Sequence, residues 1–373
     1  VALMLLGLRM ARAYSSLLVR MVRRIDHADI VMFGYIGQLD VLLLGPLVRW
    51  FGKTVIFNPL ITLTDTLIED RETFARGGLM ERLIRLIDRM ALSLANVILV
   101  DTAENGAYLT EQFGITPERI HVIPVGADES LFTAACRSTD SNHLVRESPR
   151  SRPGCVPPHS SAGHGGIPLP GQNQSEHGKS VLSVLFYGNM IPLQGVETIV
   201  RAARLLRDEG VRFEIIGHGQ TLGAARALAD DIGATNIEWL GRVPYAELPR
   251  RIARADIVLG IFGNTAKAGR VVPNKVYQAM AMGAAIVTRD SSAQQAMLTD
   301  GVSALLVPPA DPAALADAIR RLRDPDLRQR LGRAVRESFV ERASIDMQAG
   351  RLRSALSPVV EAAMKRHAGS VSA

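Results

Sequence analysis

The chain has 373 residues, of which 47% are hydrophobic and 21% charged, with a formal net charge of +6. That length predicts a pair of domains of roughly 150 residues each, and the composition excludes a chain that is disordered throughout. Aromatic residues make up 5%, and no Lys/Arg run has aromatics interleaved, which excludes a nucleic-acid module.

Residues 1–8 are apolar, and Arg9, Arg12 and Arg20 follow at helical spacing, so the opening reads as an amphipathic helix rather than a signal peptide. No apolar stretch reaches the roughly 20 residues that span a bilayer. Because the chain opens on a helix, the first strand of an α/β lobe is expected to be missing. Residues 29–33, 54–57, 97–100 and 120–125 read as buried strands, and residues 41–51, 81–94 and 103–113 as helices. Strands alternating with helices through short connections predict a parallel sheet. A first α/β lobe is therefore drawn over residues 1–135.

Residues 136–180 are rich in Ser, Pro, Gly, His and Gln and lose hydrophobic periodicity, the composition of a flexible linker. The two cysteines, Cys136 and Cys155, lie in this stretch, and a reducing, cytoplasmic compartment fits them. His143, His159, His164 and His177 lie there too, but their spacing matches no tight metal motif.

Residues 181–342 repeat the alternation more cleanly. Strands are predicted at 181–187, 213–216, 237–240, 257–262, 285–288 and 304–307, and helices at 196–209, 221–232, 245–254, 273–282, 312–322 and 325–338. A terminal helix and tail fill residues 343–373. The predicted class is α/β, with two doubly wound, Rossmann-like parallel-sheet lobes.

Ligands of such sheets bind outside the carboxyl ends of the strands. Glycines stand there at Gly188, Gly217, Gly219 and Gly263, where a phosphate can approach backbone N–H groups; tight strand-to-helix turns would use them as well. Lys267 and Arg270 occupy a loop that feeds a helix with Pro273 in its first turn, Lys275 just after Asn274, and Gly283 past its end. Cations beside a helix N-terminus oppose its dipole, so a bound diphosphate is the expected partner, with a solvated basic loop as the plainer alternative.

The order and spacing of FYGNMIPLQGVETIVRAARLL, FEIIGHGQ, IEWLGRVPYAELPRRIARADIVLGIFG, RVVPNKVYQAMAMGAAIVTRDS and DGVSALLVPPADPAALADAI resemble the donor-binding domain of glycosyltransferase family 4. LANVILVDTAENGAYLTEQFGITPERIHVIPVGADESLF resembles that family's acceptor lobe. The resemblance implies the GT-B fold with an interlobe cleft, and transfer of a sugar from a nucleotide-sugar to an acceptor hydroxyl on a glycan or lipid-linked partner. It implies retention of anomeric configuration, no cofactor and no metal. It also places the nucleotide at the loop after Gly217 and the base at Arg242 and Val243. The family's diphosphate-binding Arg and Lys fall on Asn189 and Gln194, beside a retained Gly195. Its paired glutamates fall on Arg270 and Gln278, the second of which would meet the ribose by its amide carbonyl. Lys267, Arg270 and Lys275 are then expected to carry the diphosphate charge. Ser291 would lie near the sugar or form a polar turn and cap.

In the first lobe, Asp65, Asp70 and Arg71 follow a strand's carboxyl end; a carboxylate there, Asp65, could position or deprotonate an acceptor hydroxyl, and the acidic face of an ordinary helix start is an equal reading. Gly34, Tyr35 and Gly37 could line an acceptor cleft, with a simple turn the stronger reading. The basic surface and opening helix are compatible with peripheral docking on an anionic inner membrane face. A non-catalytic nucleotide-sugar-binding paralogue and a GT-B-like epimerase remain the other readings.

Overall fold

The structure is a computed structural model that describes residues 2–70, 73–75, 77–134 and 181–371. The expected linker 136–180, with its histidines and cysteines, lies outside the described residues. The chain divides into two units, Val1–Ile123 with Ala349–Ala373, and Pro124–Gln348.

The first unit contains helix α1 (Ala2–Val22) and then alternates β1 (Ile30–Phe33), α2 (Gln38–Trp50), β2 (Thr54–Phe57), α3 (Leu79–Leu94), β3 (Val97–Val100), α4 (Ala103–Phe113) and β4 (Ile120–Val122). Its four strands pair in parallel in the order β1-β2-β3-β4. β3 (VILV) is buried at every position, as a strand covered on both faces must be. One face packs Val55, Phe57, Ile98 and Val100 against Val41, Leu44 and Val48 of α2, and Ala91 and Leu92 of α3. α4 starts at Thr102, whose hydroxyl accepts from Asn105 N, and stops at left-handed Gly114.

The opposite face carries Ile56, Val97 and Leu99, against which Leu352, Leu356 and Val359 pack. Those three belong to the last helix of the chain, Ile345–Val371, so most of it belongs to the first unit. Sequence order could not show this, because nothing near residue 350 marks which sheet it covers. The boundary at 123/124, rather than 135, has an equally local cause. Phe132 is fully buried in the second unit's core and meets the Tyr245 ring edge-on at 5.5 Å.

The second unit alternates β5 (Leu182–Tyr187), α5 (Val196–Leu205), β6 (Val211–Ile216), α6 (Leu222–Ile232), β7 (Ile237–Leu240), α7 (Leu248–Arg254), β8 (Ile257–Leu259), α8 (Ala266–Arg270), α9 (Asn274–Ala281), β9 (Ala285–Arg289), α10 (Ser292–Gln295), β10 (Leu305–Val307), α11 (Pro312–Arg321) and α12 (Pro325–Arg342). The last helix of the chain is α13. The six parallel strands run β10-β9-β8-β5-β6-β7, so the chain leaves β5 in one direction and returns to its other side at β8. This is the order of dinucleotide-binding domains, and its topological switch point lies between the carboxyl ends of β5 and β8. Asp311 and Asp324 cap α11 and α12, each with proline at the first helical position. No helix among the described residues is long and apolar enough to cross a membrane.

Candidate functional site

The switch point is built from two loops in backbone contact. Past β5, Pro192–Gln194 makes one tight turn ending at Gly195, which has φ +65° and starts α5 without a side-chain cap. Phe262 N donates to Gln194 O at 3.0 Å and Gly263 N to Leu193 O at 3.3 Å, locking this loop to the one after β8. The approach requires glycine on both sides. A Cβ on Gly195 would lie 2.4 Å from Gly263 N, and one on Gly263 would lie 2.5 Å from Leu193 O.

Gly217, after β6, is held as tightly, at φ +143°, with an added Cβ only 1.9 Å from Gly188 O. Gly217→Ala is therefore expected to lower stability by about 3 kcal/mol, with a matching fall in the urea midpoint. An unchanged midpoint would show that the loop yields freely. Gly219 abuts the Met190 backbone in the same way.

Into this cradle α9 sends Lys275, which is 5% exposed. Its Nζ donates to Gln194 Oε1 and, at 3.3 Å, to Gly260 O, and stands 3.6 Å from the centre of the Phe186 ring. It also lies 3.1 Å from where a Gly188 Cβ would be, so the absence of a side chain there leaves room beside the amine. Among the described residues the hydrogen-bond partners of the amine are these two neutral oxygens, and burial holds its pKa well below the ordinary lysine value. A buried ammonium lacking a counter-charge costs several kcal/mol, and an anion beside it would offset that cost. α9 also starts without a side-chain cap, at Pro273, leaving its first N–H groups available to the same anion.

Two expectations shift here. Residues 266–270 are a short helix capped by the Thr265 hydroxyl rather than an open loop. Pro273 is the cap of α9, with ψ 152°, and not its first helical residue. Lys267 is buried, Arg270 half-buried, and Asn274 exposed at the start of α9.

Gln278 is buried, but its amide is engaged. Tyr187 Oη donates to its Oε1 at 2.9 Å, and its Nε2 donates to Tyr245 Oη at 3.1 Å. Burial, with Tyr245 as a secondary influence, holds the Tyr187 hydroxyl protonated well above the usual tyrosine range. The carbonyl expected to meet a ribose is thus already committed to a tyrosine. Ser291 caps α10, its hydroxyl accepting from Gln294 N at 3.3 Å, which realises the cap reading. Asn189 and Arg242 are exposed, while Val243 packs on the core.

Arg289 was missed by the sequence reading. It ends a strand buried at every position, donates to Gly263 O, and has its pKa lowered by burial. A cation closing an all-buried strand (AIVTR) was the available signal.

In the first unit, Asp65 opens a π-helical turn, Asp65–Asp70, and is 2% exposed. Asp88 fixes the preceding backbone: Oδ1 accepts from Leu63 N at 3.0 Å, and Oδ2 from Thr64 N and Oγ1, both at 2.7 Å. Asp65 shares a small pocket with Leu60, Asn105 and Tyr108. Leu60 is held at φ +58°, a strained conformation for a residue with a Cβ. Asn105 Nδ2 donates to Asp101 Oδ1 at 2.6 Å. Burial pushes the Asp101 carboxyl up to about 6, and the Asp65 charge adds to that rise. Arg71 lies outside the described residues, as does the side chain of Asp70.

Residues 182–324 match the family Glycosyl transferases group 1. The matched stretch spans all six strands of the second unit's sheet, β5 to β10. The D-inositol 3-phosphate glycosyltransferase of Acidothermus cellulolyticus is 27% identical over 74% of this chain and 56% of its own length. The probable glycosyltransferase WbjE of Pseudomonas aeruginosa is 29% identical over 46% and 44%. The chain thus spans about half the length of these curated relatives. Among solved structures, sucrose-phosphate synthase from Thermosynechococcus elongatus aligns with a TM-score of 0.65 at 17% identity, covering 90% of this chain and 75% of that one. Anabaena HepE in complex with UDP aligns with a TM-score of 0.65 at 14% identity, covering 92% and 82%. At such identities the likeness gives the fold, GT-B, with a Rossmann-like parallel sheet in each lobe. Within residues 182–324, Gly188, Gln194, Gly195, Gly217, Gly219 and Lys275 are brought together, while Ser291 serves as a helix cap and Asn189 and Arg242 are exposed.

Proposed function

We propose that this chain transfers a glycosyl group from a nucleoside-diphosphate sugar to an acceptor hydroxyl on a glycan or lipid-linked molecule. The carrying observation is the Lys275 amine, seated at the switch point against two neutral oxygens. The bond that breaks joins the anomeric carbon to the diphosphate oxygen, and the acceptor oxygen replaces it. Negative charge gathers on the leaving diphosphate, where Lys275 and the first amides of α5 and α9 stabilise it, with Lys267, Arg270 and Arg289 adding positive potential. In this reading no metal takes part, and the sugar keeps its anomeric configuration, both carried from the family resemblance.

UDP occupies HepE, so UDP-sugars are the first donors to try. Asp65, fixed in its pocket, is the proposed group that positions or deprotonates the acceptor. A cytoplasmic, peripheral place on an anionic membrane face belongs to the same reading, on the charge of Arg9, Arg12 and Arg20 in the opening helix.

A thermal-shift series with UDP-, GDP- and ADP-sugars, followed by turnover with an acceptor panel, tests the proposal. One nucleotide class is expected to raise the melting temperature by several degrees at saturation. Product from that donor is expected only with acceptor present. No shift with any of them would overturn the donor site; a shift without transfer would leave a binding protein; a new sugar nucleotide formed without acceptor would indicate an epimerase.

A further inference from the structure

In a doubly wound lobe, helices bury one stripe and turn charge to water. α2 and α3 do not. Both follow right-handed crossovers in the same direction along β1-β2-β3, so they share one face of the sheet. The side of α2 away from the sheet carries Leu39, Leu43, Pro46 and Trp50, spaced three or four apart, with Leu43 57% and Trp50 84% exposed. The outer side of α3 repeats the spacing with Leu79, Leu83, Leu86 and Met90, Leu79 being 85% exposed.

The charge on these helices has one sign where it meets solvent. Asp88 is buried, Asp40 accepts from the Tyr14 hydroxyl, and Glu81 pairs with Arg85. The exposed charged residues of the two helices are Arg49, Arg82 and Arg89. Helical geometry sets Arg82 and Arg89 along one flank of the leucine stripe, in line with half-buried Arg85. Exposed large apolar residues of the second unit, such as Leu205, Val302 and Val340, lie instead on separate elements.

We propose that the outer face of α2 and α3 is a docking surface for an anionic lipid leaflet. Trp50 and the leucines enter the headgroup boundary, and Arg49, Arg82 and Arg89 meet lipid phosphates. A second copy of the chain is a poorer occupant, because a two-fold contact would bring like-charged arginine flanks together without acidic partners. This surface is distinct from the opening helix, and it does not depend on the transferase reading.

Vesicle binding tests it. The chain is expected to sediment with phosphatidylcholine vesicles containing phosphatidylglycerol, to bind them more weakly as salt rises, and to leave pure phosphatidylcholine vesicles largely unbound. Leu43→Ser with Leu83→Ser, and separately Arg82→Gln with Arg89→Gln, are each expected to weaken binding about tenfold. Melting temperature and nucleotide response should be unchanged, which separates loss of docking from loss of fold. The protein has two tryptophans, so a Trp239→Phe background makes Trp50 the reporter, and its emission should shift to the blue on anionic vesicles. Absence of binding to anionic vesicles, or binding that neither double variant alters, would overturn the proposal. So would a dimer that Leu43→Ser with Leu83→Ser converts to monomer while vesicle binding persists.

Discussion

Lys275→Met is expected to weaken nucleoside-diphosphate binding by about 3 kcal/mol, on the order of 100-fold, while barely moving the stability of the ligand-free protein. Methionine keeps the length and apolar contacts of the lysine stem against Phe186 and removes only the amine. In the free protein two effects oppose each other. Removing the amine leaves the acceptors Gln194 Oε1 and Gly260 O without their donor, at a cost of about 1–3 kcal/mol each. It also relieves the burial of an ammonium that has no counter-charge, which costs several kcal/mol. In the complex only loss remains, because a charge-assisted bond to phosphate disappears. Isothermal titration with UDP and a melting curve of each protein check both halves. Equal affinity in the two proteins would remove Lys275 from the site.

The same residue gives binding a pH dependence of known sign. Burial depresses the Lys275 pKa, and a diphosphate beside it raises it again. Where the free amine is neutral, binding takes up a proton, so affinity falls as pH rises through the free-state pKa. The slope should be present in the wild type and absent in Lys275→Met. Ligand-free stability runs the other way, being lost as pH falls from the unfolded lysine value toward the depressed folded one.

Asp101→Asn is expected to stabilise the protein at pH 7.5 by up to about 3 kcal/mol and to have little effect at pH 4. The carboxyl is raised from 3.8 to about 6 by burial first, with the Asp65 charge adding to the rise and the Asn105 hydrogen bond opposing it. A folded pKa above the unfolded one means that the native state holds its proton while the unfolded chain has released it. Stability is therefore full below pH 4, falls as pH rises from about 4 to about 6, and is flat beyond. Asparagine is neutral throughout and still accepts from Asn105 through its carbonyl, so the pH-dependent loss disappears. Urea unfolding at pH 4, 5, 6 and 7.5 reads this directly. A constant difference across that range would mean that Asp101 is ionised in the fold at every pH tested.

What the sequence determined by itself was the alternation. Buried runs such as VILV and helices bounded by Thr102, Gly114, Asp311 and Gly283 carry their signals locally, in burial period and cap chemistry. The glycines after the strands and the cations around residue 270 were visible for the same reason, since each stands beside a strand end or helix start in the chain itself. Predicted strand 120–125 ends early, at Val122, opposite Val100, the last residue of β3. Predicted strand 257–262 ends at Leu259 although β9 runs on to Arg289, and Phe262 N instead donates to Gln194 O of the loop after β5.

Tertiary structure decided what lies far apart in sequence. Only the return of β8 beside β5 places Gly260 O and Gln194 Oε1 around one lysine, and only the packing of Tyr187 and Tyr245 occupies the amide of Gln278. The assignment of α13 to the first sheet, through Leu352, Leu356 and Val359, has the same origin. Periodicity and caps act over a few residues and are written in the chain. Counter-charge and burial are sums over everything nearby in space, and they exist only once the sheet has ordered its strands.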